Sequence, residues 1–287
     1  MPLFEPPEPI DLRRTLAAVG VKDVHEGSAW WAVETASGAA TVAIHRTDGV
    51  IEAIGWGSGS DEALARIPRL LGFDDDPTAF VPGDLRELHL RGLGVRLGST
   101  ATVYDRLLPA ILAQMVTSAE ALSSYRRLRA GLGSPAPGPR SDLFIPPSAE
   151  VIASLQYEDL HRFGIERKRA TIVLEAARRA KRLDEILTME RSDAYARLTA
   201  VRGIGPWTAA VVMGEAWGDR DAVPVGDYHL PSMVTWAMLG QRKGTDEEML
   251  ELLEPYRPFR RRAVVLLKQS GLRAPRRGPK MPVRKHL

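Results

Sequence analysis

Residues 198–230, LTAVRGIGPWTAAVVMGEAWGDRDAVPVGDYHL, carry the residue types and spacing best suited to chemistry. Gly203-Ile204-Gly205 followed by Pro206 reads as a sharp corner between two helices, since glycine is favoured past the end of one helix and proline at the start of the next. Ile204 would anchor the corner in the core while the freed backbone amides point outward. There they can hold a phosphate oxygen without reading any base. A helix–helix turn with no ligand fits the same residues. Asp227 follows Gly205 by 22 residues. A helix over 206–217 rises about 1.5 Å per residue, and the loop behind it is long enough to return toward the corner. The Asp227 carboxylate would then face the same groove. It would also make a good N-cap for a helix starting at Tyr228, and a cap fixes a carboxylate in place.

The elements that must position these residues fall into two patterns. Residues 29–35, 39–46 and 50–56 are short runs rich in β-branched and aromatic side chains, separated by Gly38 and Asp48-Gly49 at hairpin spacing, and predict an antiparallel meander. A helix capped by Ser60 or Asp61 should run to Leu71, with Leu64, Ile67, Leu70 and Leu71 on one face, while residues 12–19 fit helix or strand. From about Thr100 the apolar spacing turns helical, over 103–115 and then 119–132. Residues 133–147 break it with proline and glycine and read as a linker. Short helices are expected over 148–155, 157–163, 166–182, 193–200, 206–217, 228–239, 245–253 and 259–270. The fold class is therefore α+β: a sheet domain over 1–95, a helical domain over 96–271 with the hairpin at 198–217, and a basic, flexible tail over 272–287.

Composition narrows the chemistry. The 287 residues include no cysteine, which excludes disulfides, thiolate metal sites, cysteine nucleophiles and cysteine-ligated iron–sulfur clusters. The six histidines form no metal-spaced pair, and Asp74-Asp75-Asp76 reads as a solvated loop, so no residue is assigned to a metal. No apolar run approaches the ~20 residues of a membrane span, and residues 1–9 are unlike a signal peptide; a cytoplasmic location, without a membrane partner, is expected. The formal charge of +3 conceals an asymmetry. Residues 1–90 hold 15 acidic against 7 basic side chains, whereas residues 256–287 hold 11 Lys or Arg and no acid. An acidic front and a basic back suit a polyanion met by the C-terminal part, with the Arg260-Arg261-Arg262 run a candidate for phosphates.

VRGIGPWTA at 201–209, followed at this distance by VGDYHL at 225–230, resembles the helix–hairpin–helix DNA glycosylase superfamily, most closely its 3-methyladenine DNA glycosylase II type. GLGVRL at 92–97 and LPAILAQMVT at 108–117 resemble further segments, so the likeness runs over nearly the whole chain. The resemblance implies a monofunctional glycosylase that flips damaged, alkylated purines out of double-stranded DNA and hydrolyses the N-glycosidic bond, in base excision repair and on the nucleoid. It makes Asp227 the catalytic carboxylate beside the developing oxocarbenium charge, and Trp207 and Tyr228 the walls of the base pocket. Arg202, Gly203, Ile204, Gly205 and Thr208 would meet the DNA backbone, and Gln114 and Met115 would plug the vacated stack. Related bifunctional enzymes have a Schiff-base lysine directly before the position of Thr208; Trp207 stands there and cannot act so. No cofactor is expected beyond a monovalent cation that the resemblance allows at the hairpin, and nothing demands more than a monomer. Two alternatives remain: a non-catalytic hairpin protein with Asp227 a mere cap, and a same-fold enzyme for hypoxanthine or ethenoadenine. The second gains weight from departures, because the family's further cleft aromatics are replaced by Val211, by Lys268-Gln269 and, near the start, by Ala18.

Overall fold

A computed structural model describes residues 2–21, 23–25 and 27–272. The predicted tail lies outside the described residues from 273 onward. The first unit is a five-stranded antiparallel sheet of β1 (Leu3–Phe4), β2 (Asp23–His25), β3 (Ser28–Thr35), β4 (Gly38–Thr47) and β5 (Val50–Trp56), ordered β1-β5-β4-β3-β2. Asp48 and Gly49 both take positive φ in the β4–β5 turn, the conformation that tight hairpins require. The register pairs Trp31 with Val42 and Val42 with Gly55. Alternate residues of β3 point inward, so Trp31 and Val33 join Val42, Ile44, Ile51 and Ala53 on one apolar face. Helix α1 (Leu12–Ala18), capped by the Asp11 side chain, covers that face through Leu16, with α2 (Ser60–Ala65) and α3 (Ile67–Leu70) beside it. The single helix expected over 60–71 is thus two. The chain breaks at Arg66 because Pro68, in the first turn of α3, lacks the amide needed to continue an earlier helix, and the N-cap is Gly59 rather than Ser60 or Asp61.

Helix α4 (Arg86–Arg91) and the turns before it belong elsewhere. Phe80 and Leu85 are buried with Val223, Leu230, Tyr256 and Leu266 of the late helices, not with the sheet. The helical part then forms two packed halves. One contains α5 (Val103–Leu112), α6 (Ser118–Leu132), α7 (Ala149–Ala153), α8 (Arg167–Arg178), α9 (Ala180–Asp184), α10 (Arg191–Thr199) and α11 (Pro206–Val212), around Leu107, Ile111, Val173, Leu198 and Val212. The other holds α12 (Leu230–Leu239), α13 (Asp246–Leu253) and α14 (Arg260–Gln269) around Val234, Met249 and Leu253. The helix expected over 228–239 begins two residues late, and that over 166–182 divides at Arg179.

Three readings of the sequence are corrected. Residues 133–147 are not a free linker. Strands β6 (Ser134–Pro135) and β7 (Phe144–Ile145) pair, and Ala136, Leu143 and Ile145 pack on Trp30, Ala32 and Ala39 of the outer sheet face. Arg140 lies over the Trp30 ring and bonds Asp23 at 2.8 Å, which locks the segment down. Arg260, Arg261 and Arg262 are all buried and face no phosphate. Arg260 grips Asp221 with two parallel bonds of 2.8 and 2.6 Å, Arg261 donates to Ala18 O, and Arg262 pairs with Asp75 and donates to Val95 O. Asp75 is therefore a buried counter-charge that also accepts the Leu97 amide, not part of a solvated loop.

Candidate active site

The hairpin lies between α10 and α11. Gly203 has φ +93°, a left-handed conformation that L side chains rarely adopt, and a Cβ there would come within 2.5 Å of Ile172 on α8. Ile204 drives its side chain into the core as expected, a burial that stabilises by roughly 1.5–3 kcal/mol. Its amide, however, donates to Val201 O at 2.9 Å and is not free for a phosphate. Gly205 differs from Gly203. Its φ of −92° suits any residue, and an added Cβ would meet nothing within 4 Å. Among the described residues nothing requires glycine there, and the space at its Cα is open. Trp207 and Thr208 follow in the first turn of α11, where backbone amides have no intrahelical partner. Arg202 is exposed beside them.

Gln114 and Thr208 take roles other than those expected. The Gln114 side chain donates to Gly203 O at 3.0 Å and to Thr208 Oγ1 at 2.9 Å, tying the end of α5 to the corner. It is a brace for the hairpin, not a wedge, and the buried Thr208 hydroxyl is turned inward by the same bond. Two hairpin carbonyls thus already accept donors of the protein, Val201 O from Ile204 and Gly203 O from Gln114. Met115, next in the chain, is 92% exposed and has φ +57°, so it stands in solvent from a strained backbone position.

Asp227 stands opposite the hairpin, delivered by a loop that the sequence shapes tightly. Gly226 has φ +88°, and its amide donates to both carboxylate oxygens of Asp246, the first residue of α13. The Asp227 carboxylate is 18% exposed, and donors surround it. Oδ1 accepts the amides of His229 and Leu230 at 2.9 and 3.0 Å, closing the turn ahead of α12; the N-cap of that helix is His229, not Asp227 as expected. Oδ2 accepts the Trp207 indole N–H at 3.1 Å, and the Lys268 ammonium of α14 lies 3.7 Å from the same oxygen. Burial alone would raise this carboxyl, but Lys268, the His229 amide, the Trp207 indole and the Leu230 amide together hold it below the ordinary carboxylate range. The structure therefore joins Asp227 to Trp207 across the two halves.

Tyr228 is not brought into a walled pocket. It is 90% exposed, with its ring edge-on to His229 at 4.9 Å between centroids. Two cavities of about 400 and 470 Å³ lie elsewhere, one lined by Arg191, Tyr195 and Pro206, the other by Arg179, Arg182 and Arg197. Lys268 as a partner of Asp227 is the residue that sequence reasoning missed. The signal was present as a position where an aromatic ring was expected and a lysine stood. Its neighbour Gln269 turns the other way and exchanges two bonds with Arg14 of α1, at 2.9 and 2.8 Å. Ala18 packs with Val95, Leu97 and Val265.

No family model matches the chain. Over 180 residues, 58% of its length, it is 32% identical to a Mycobacterium tuberculosis protein named probable bifunctional transcriptional activator/DNA repair enzyme AlkA. It spans 35% of that relative's length. Among solved structures, a 3-methyladenine DNA glycosylase from Archaeoglobus fulgidus superposes with a TM-score of 0.79 at 22% identity, covering 93% of this chain and 97% of that one. An 8-oxoguanine glycosylase/lyase from Clostridium acetobutylicum, bound to double-stranded DNA, superposes with a TM-score of 0.69 at 13% identity over 91% and 92% of the two chains.

Proposed function

We propose that this chain, which has the α+β fold of the helix–hairpin–helix DNA glycosylases along nearly its whole length, excises damaged, alkylated purines from duplex DNA. The observation that carries the reading is the Asp227 carboxylate, held ionised and partly open to solvent across from the hairpin. Rotation of a nucleotide out of the stack would bring its C1′ to this carboxylate. As the C1′–N bond lengthens, positive charge grows on the sugar, and a fixed anion stabilises it more than the ground state. With Oδ1 engaged by two amides and Oδ2 by the indole and the ammonium, Asp227 acts as a preorganised charge rather than as a free base. The Trp207 indole edge is committed to Asp227, which leaves its face for stacking a flipped ring. Gly205 and the first-turn amides of α11, with Arg202, would hold the strand, and Met115 would fill the gap left in the duplex.

Trp207 occupies the position of the Schiff-base lysine, so we assign a water-using reaction that leaves an abasic site and an intact strand. A second reading, glycosylase with lyase action, is favoured by one observation, the lysine at 3.7 Å from Asp227. The Lys268 ammonium there is an ion-pair partner and must lose its proton before it can attack carbon. The protein is expected to work as a monomer in the cytoplasm. The deciding experiment compares wild type with Asp227→Asn on duplexes that each bear one lesion, with and without alkali after incubation. The expected result is base release lowered at least about 100-fold in the variant, with duplex binding kept. Release that survives the substitution, or none in wild type, overturns the catalytic assignment. Strand cleavage without alkali, with a borohydride-trapped adduct, would establish the lyase reading instead.

A further inference from the structure

We infer that Lys268 sets the charge class of the lesion: the site favours neutral damaged purines bearing a ring or carbonyl acceptor, such as ethenoadenine or hypoxanthine, over cationic ones such as 7-methylguanine. The inference rests on the reading of this chain as a base-excising glycosylase and narrows the lesion within it to neutral bases, of which ethenoadenine is alkylated and hypoxanthine, a deaminated purine, extends the class. Its basis is the convergence on Asp227 Oδ2 of the Trp207 indole N–H at 3.1 Å and the Lys268 ammonium at 3.7 Å. This oxygen is met by two side-chain donors, whereas Oδ1 is taken by backbone amides, and the carboxylate as a whole is 18% exposed. A base attached to a sugar held at that carboxylate lies within reach of the lysine, whose side chain is 42% exposed.

The consequence for ground-state binding is electrostatic. A carboxylate at the edge of an indole, with the indole face free for stacking, would together with that face attract a cationic ring. Pairing the carboxylate with an ammonium cancels that attraction and places a like charge beside the ring. The consequence for the chemical step points the same way. When the C1′–N9 bond of a neutral purine breaks, its electron pair moves onto the base, the water oxygen bonds to C1′, and a proton from that water ends on the departing base. An ammonium offers three donors and no acceptor, so it can hold the base nitrogen or oxygen on which negative charge is building. That contact strengthens toward the transition state and accelerates departure. A cationic purine leaves as a neutral molecule and builds no negative charge, so the ammonium gives it no such assistance.

The test is single-turnover base release from three duplexes containing ethenoadenine, hypoxanthine or 7-methylguanine, by wild type, Lys268→Met and Lys268→Arg. The ratio of rates on neutral and cationic lesions is the readout, because general damage to the site would scale all three together. Lys268→Met is expected to shift the ratio about tenfold toward 7-methylguanine. Lys268→Arg should keep the wild-type ratio. An unchanged ratio in Lys268→Met, even with all rates lowered, overturns the inference and leaves the glycosylase reading standing. Wild type that releases none of the three bases takes down both.

Discussion

The two ends of α14 carry basic residues and put them to opposite uses. At its start, Arg260, Arg261 and Arg262 are buried, and Arg262, 1% exposed, reaches Asp75 from a segment 187 residues earlier. At its end, Lys268 is nearly half exposed and meets Asp227 at 3.7 Å. A guanidinium taken out of water needs compensating partners, so each early arginine is committed to joining parts of the fold, Arg260 and Arg262 through carboxylates and Arg261 through a backbone carbonyl. An ammonium left partly in solvent has little effect on stability and is free to act on what enters the groove. A basic run therefore reveals its purpose through burial and partner, not through its density of charge.

The sharpest way to break this contrast is Asp75→Ala, which leaves Arg262 buried without its counter-charge. A loss of about 3–5 kcal/mol is expected, read from urea unfolding midpoints. A smaller loss than that of Lys268→Met would reverse the roles assigned to the two ends. The hairpin glycines sharpen the same distinction between holding the fold and facing the ligand. Gly203→Ala should cost more than about 1 kcal/mol, because its backbone is left-handed and Ile172 fills the space. Gly205→Ala should change stability by less than about 0.5 kcal/mol and yet weaken duplex binding, measured by fluorescence anisotropy.

The smallest stability effect belongs to Lys268→Met, within about 0.5 kcal/mol near neutral pH. Its signature is a pH shift. Because the folded-state value of Asp227 is lowered, its ionised form and the stability it brings are present above the unfolded value. They are lost only as pH falls through the lowered folded value. Base release by wild type should accordingly persist to pH values below the ordinary carboxylate range. Without the ammonium the folded value rises, so the acid limb of the rate profile should move to higher pH. An acid limb that stays in place would show that Lys268 does not act on this carboxylate.

Much of the frame was legible in the residues. The alternation in 29–35 and the Asp48-Gly49 turn specify β3 to β5 almost to the residue, since strand pairing there is local and each signal lies beside the element it shapes. The hairpin corner and the buried Ile204 were legible for the same reason, whereas Asp227 closes a turn two residues ahead of His229, the N-cap of the helix it was expected to cap. Long-range pairing was not. Gln114 finds Gly203 across 89 residues, and a lone amide side chain carries no mark of its partner. Arg262 and Asp75 each look like surface charge in one dimension, and only the packed fold brings them into contact. Residues 77–91 likewise join the late helices because Phe80 and Leu85 match a cavity made by chain far downstream.

Lys268 and Gln269 are neighbours that point to different tasks, one toward Asp227 and the other toward Arg14 on α1. A rigid helix transmits any tilt from one to the other, so the sheet unit acts as a gauge for the distance between ammonium and carboxylate. Altering Arg14 would then shift the Lys268–Asp227 distance from the far side of α14, and drift in the first unit would be tolerated only where it leaves that gauge intact.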